Sequence, residues 1–93
     1  MDKKILLVSI MLYPQFSNAG IDQLAGFLRG ESYSVDIAYF HNNESADYIK
    51  QVIPIEYDYY GFSVDITNID KCYEIANYIK GVSKAYILFG AFL

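Results

Sequence analysis

At 93 residues the chain is long enough for one small domain, and 54% hydrophobic content supplies a packed core and excludes an intrinsically disordered polymer. A formal charge of −4, with the 7 basic residues scattered rather than clustered, argues against nucleic acid as a partner. No apolar run approaches the ~20 residues of a membrane span, and the single cysteine, Cys72, cannot close an internal disulfide and fits a reducing cytoplasm.

The first element is a continuous apolar run over residues 4–9, the pattern of a parallel strand covered on both faces. Its length resembles the core of a signal peptide, but Tyr13-Pro14-Gln15-Phe16 follows in place of a small-residue cleavage site, so a buried strand is the better reading. A loop over residues 10–18 leads to a helix over 19–29, whose apolar face is Ile21, Leu24, Ala25 and Leu28. Ser17 or Asn18 suits its N-cap, Asp22 its first turn and Gly30 its C-cap. A second strand spans residues 34–40, and the turn His41-Asn42-Asn43 supplies an asparagine cap for a short helix over 44–52 that Pro54 helps to stop. The third strand covers residues 57–62. Thr67 or Asn68 caps a third helix that runs to Lys80, with Gly81 as terminator and Ile69, Cys72, Tyr73, Ala76 and Ile79 as its buried face. A fourth strand covers 85–89.

This βαβαβαβ order predicts an α/β fold: a three-layer, doubly wound parallel sheet of the flavodoxin-like type, four strands in the order 2-1-3-4. The usual fifth strand is missing. Residues 86–93 are almost wholly apolar and would leave a sheet edge uncovered, so residues 1–93 read as a single domain from the N-terminal part of a longer protein, or one whose edge another subunit covers. Charged residues are only 19%, which also points to surface buried against a partner.

Parallel strands gather their carboxyl ends on one rim. There the sequence places the loop over residues 9–18, the His41 turn, Ser63 with the polar residues Asp65, Thr67 and Asn68, and Gly90-Ala91. Several chemistries are disfavoured. The first loop has no glycine before Gly20, so it is no phosphate-binding loop, and its bulky residues do not suit a flavin. The acidic set of a receiver domain is absent. One histidine and one cysteine on different elements make no metal-ligand pattern. Ser63, His41 and Asp65 are the residue types of a hydrolase or transferase triad, but Gly61-Phe62-Ser63-Val64-Asp65 is not a nucleophile elbow. Cys72 reads as a core residue.

Ile5-Leu6-Leu7-Val8, the Tyr13-Pro14 loop and Gly20-Ile21-x-x-Leu24-Ala25-x-x-Leu28-Arg29 together resemble the start of the cobalamin-binding domain of radical SAM proteins. The likeness continues through Tyr33-Ser34-Val35-Asp36, Tyr57-Asp58-Tyr59-Tyr60-Gly61-Phe62-Ser63, Asn68 and Ile87-Leu88-Phe89-Gly90-Ala91-Phe92. It spans nearly the whole chain, and the order and spacing of its short motifs carry the weight. The resemblance implies a cobalamin-binding or cobalamin-binding-like accessory domain, metal-binding only through the cofactor's cobalt. Its tail pocket would be lined by Tyr13, Pro14, Ser17, Ser63, Asp65, Asn68, Gly90 and Ala91. The cobalt-ligating histidine motif after the first strand is absent, Asp65 stands in place of the leucine after the serine, and Ala91 replaces the second glycine. A radical SAM iron–sulfur cluster needs three cysteines, so the cluster, SAM and any catalysis would belong to sequence beyond Leu93 or to a partner subunit. The alternative is a degenerate, cofactor-free α/β docking module that packs on a catalytic domain or forms a homodimer through its fourth-strand edge.

Overall fold

The computed structural model describes residues 3–12 and 18–90. Four strands, β1 (Lys4–Met11), β2 (Ser34–His41), β3 (Tyr59–Ser63) and β4 (Tyr86–Gly90), alternate with three helices, α1 (Ala19–Gly30), α2 (Ala46–Val52) and α3 (Ile69–Val82). All strands pair in parallel in the order β2-β1-β3-β4, as the alternation of elements requires. The fold is flavodoxin-like, and among the described residues no helix is long and apolar enough to cross a membrane.

Side-chain alternation divides the core in two. On one face Ile5, Leu7 and Val35 pack under Ile21 and Ala25 of α1. On the other, Leu6, Val8, Ile10, Tyr60 and Phe62 pack under Ile49 of α2 and Cys72, Ile75, Ala76 and Ile79 of α3. One face thus carries a single helix and the other carries two. The connection between β2 and α2 is fastened to α3 by Lys71, whose Nζ donates to the carbonyls of Asn42 and, at 2.8 Å, Glu44.

Several boundaries differ from the sequence reading, each for a local reason. β1 extends to Met11 because β2 pairs with it as far as His41. β3 begins at Tyr59: Tyr57 precedes the ladder, with its hydroxyl bonded to Asp36 and its ring buried. Gly30 is not a left-handed cap. Glu31 N–H still reaches the carbonyls of Phe27 and Leu28, and the left-handed residue is Ser32, at φ 72°. Gly81 likewise lies inside α3, which ends at Val82 with Ser83 as its extended C-cap. The cap of α2 is Ser45, whose side chain accepts from Tyr48 N–H, not an asparagine of the preceding turn. The buried stripe of α3 is Cys72, Ile75, Ala76 and Ile79, an i, i+3, i+4, i+7 set; Ile69 and Tyr73 are exposed on its flank.

Candidate functional site

β1 and β3 finish side by side, with Ser9 opposite Ser63 and Ser63 opposite Gly90. Above them the α3 loop closes on Asn68. Its place just before α3 would make Asn68 a simple cap, but its side chain makes no cap hydrogen bond.

 Its amide instead joins three backbone segments: Nδ2 donates to the carbonyls of Ile10 (2.9 Å) and Ser63 (3.1 Å), and Oδ1 accepts from Asp65 N–H (2.9 Å). Asn68 is buried and fully engaged, so it builds the rim rather than offering a group to a ligand. Asp65 is exposed, and its carboxylate accepts from Thr67 N–H at 2.7 Å within its own loop.

Ser63 meets the start of α1. Asn18 caps that helix by accepting from Ile21 N–H (3.1 Å), and its Nδ2 donates to Ser63 Oγ (3.2 Å). Tyr39, at the end of β2, donates its hydroxyl to Asp22 (2.8 Å) and accepts from Asn18 N–H. Burial, and then the bond to Asp22, push the Tyr39 phenol above its ordinary range. Gly90 O accepts from Val64 N–H (2.9 Å), which joins β4 to the same rim. The structure therefore brings together Ser63, Asn68 and Gly90. Asp65 stands beside them on the loop, while Tyr13, Pro14, Ser17 and Ala91 lie outside the described residues. The sequence reading missed Asn18 as Ser63's partner, and it missed Tyr39 and Asp22. No local sequence pattern signals these contacts; they follow from the register that sets Ser9 between Tyr39 and Ser63.

Below the rim, on the α1 face, a trough of about 350 Å³ opens where the single helix leaves β3 and β4 uncovered. Leu24 and Leu28 form one wall, Tyr33 and Tyr59 one end, and Gly61 and Leu88 the floor. Ser63 follows Tyr59 and Gly61 along the same face of β3. At Gly61 a Cβ would stand 3.0 Å from Leu7 Cδ2, so the missing side chain leaves room for the tip of Leu7 on the neighbouring strand. A second cavity of about 380 Å³ lies at the opposite end of the sheet, between Lys3, Glu56, Asp58 and Lys84.

Among the described residues, Ser63, His41 and Asp65 make no hydrogen bond to one another. Ser63 accepts from an amide, His41 Nδ1 accepts from Asn43 N–H (3.0 Å), and Asp65 is held by Thr67. The triad residues are thus engaged separately. Cys72 is buried, and burial pushes its thiol up to about 12, which fits a core residue and not a nucleophile. Among the described residues no group of three or more histidine, cysteine, aspartate or glutamate side chains could hold a metal ion.

Comparison with protein-family models, with curated proteins and with solved structures finds no match to this chain. The fold and the rim define a flavodoxin-like α/β domain with an apolar trough beside a serine- and glycine-bearing sheet edge.

Proposed function

We propose that this chain is a cobalamin-binding-like accessory domain of a radical SAM enzyme, with the cofactor's tail in the trough on the α1 face. The observation that carries the reading is the run Tyr59, Gly61, Ser63 along one face of β3, with the open trough above Gly61. The lining fits the flat aromatic base at the end of the cofactor's nucleotide tail, not the tail's phosphate. Gly61 keeps the floor low beside Leu88, Leu24 and Leu28 supply an apolar wall, and the Ser63 hydroxyl retains its proton for donation while it accepts from Asn18. They do not fit ligation of cobalt by a protein imidazole. His41 stands at the end of β2 in a turn, and the chain has no other histidine. This domain would bind and orient the tail, while the cobalt chemistry belongs to the cofactor. The iron–sulfur cluster and SAM would be held by a C-terminal radical SAM domain or a partner subunit, since one cysteine cannot bind the cluster.

The mutual engagement of Asn18 and Ser63 favours a second reading, a cofactor-free docking module. Titration with hydroxocobalamin, followed by visible absorbance and equilibrium dialysis, separates the two. Saturable binding is expected, lost in Gly61→Leu and Ser63→Trp variants that retain the native circular dichroism. Absence of retained cobalamin in the wild-type chain selects the docking module.

A further inference from the structure

β4 is the last strand of the sheet, and nothing among the described residues covers its outer edge. Natural edges are blunted by lysine, proline, bulges or inward charges. Tyr86-Ile87-Leu88-Phe89-Gly90 carries no lysine, no proline and no charge. Tyr86, Leu88 and Phe89 are instead 69%, 59% and 42% exposed. The ladder fixes which backbone groups point outward. Tyr86 N–H donates to Asp58 O and Gly90 O accepts from Val64 N–H, so residues 86, 88 and 90 turn their polar groups toward β3. By alternation, Ile87 and Phe89 direct N–H and C=O away from the sheet.

We propose that this edge pairs with the same edge of a second copy, antiparallel, about a two-fold axis through Leu88. The result is a continuous sheet across the two copies. Ile87 then faces Phe89 of the second copy as a hydrogen-bonded pair, and the symmetric pair repeats it, which satisfies the outward groups on both strands. Leu88 faces its own counterpart. Tyr86 faces Gly90 of the second copy, so an aromatic ring covers the one position without a side chain. On the opposite face Ile87 and Phe89 form β-branched–aromatic pairs, the kind that stabilise antiparallel ladders. The strand is thus complementary to itself in size at every position. Because β4 carries no charge, the axis brings no like charges directly together, although each copy has a formal charge of −4. This is why a second copy is the occupant, and the inference does not rest on cofactor binding.

Sedimentation velocity and cysteine cross-linking of the cobalamin-free chain test it. Leu88 lies at a non-hydrogen-bonded pair, where Cα atoms stand about 4.5 Å apart, inside the range a disulfide spans. Leu88→Cys is expected to give a reducible covalent dimer on mild oxidation. Ile87→Cys, displaced from its own counterpart by two positions, is expected to give none. Leu88→Lys, at an exposed position, places two ammonium groups face to face and is expected to yield a folded monomer. A wild-type chain that sediments as a monomer at its highest soluble concentration overturns the proposal. So does a dimer that cross-links through Ile87→Cys and not Leu88→Cys, or one that survives Leu88→Lys unchanged.

Discussion

Asn68 shows how much one side chain holds at the rim. Its amide ties the ends of β1 and β3 to the loop before α3, and it is buried, so water cannot replace what it supplies. Asn68→Ala leaves two carbonyls and an N–H without that partner, and is expected to cost about 2–3 kcal/mol in urea unfolding. The sequence exposed Asn68 as a polar residue before a helix, which is the signature of a cap; its true targets, Ile10 and Ser63, follow only from three-dimensional closure. Cys72 and Tyr57 carry a pH dependence. Burial raises the Cys72 thiol from 9.0 to about 12, and burial, followed by the Asp36 hydrogen bond, raises the Tyr57 phenol. Both groups bind their protons more tightly when folded, so their contribution to stability is complete below the unfolded values and is lost as pH rises. Unfolding free energy is expected to fall from about pH 9 upward, and Cys72→Ala should move the onset toward the tyrosine range near pH 10. Chemical denaturation across that interval measures both.

Among the elements, the glycines taught the clearest lesson. Gly30 and Gly81 follow apolar helical runs, which is the usual signature of a left-handed cap, yet both are helical, and among the described residues the only left-handed one is Ser32. The distinction depends on where the last helical carbonyls find donors, and sequence spacing does not encode that to within a residue or two. A consequence concerns Gly26, in the middle of α1, where an added Cβ meets nothing within 4 Å. Gly26→Ala is expected to stabilise the chain by about 0.5–1 kcal/mol, visible as a raised denaturation midpoint, because alanine loses less backbone freedom on folding. The apolar face of α1 was fully legible from its 3.6-residue period. That of α3 was legible at Cys72, Ala76 and Ile79; the reading missed the fully buried Ile75 and included Ile69 and Tyr73, which lie exposed at the flank of the stripe.

For the whole molecule, strand order and parallel pairing were readable because alternating strands and helices permit few other arrangements. The trough was not readable, since it arises from the difference in helix cover between the two faces, and no local pattern states that difference. The same division of the core has a kinetic side. The α1-face core joins residues close in the chain, such as Ile5 and Val35, whereas the α3-face core joins Leu6 to Ile79. Closing the longer loop costs about 0.8 kcal/mol more in chain entropy. The first half of the polypeptide thus contains nearly all of one core, and the other core waits for the last helix to arrive.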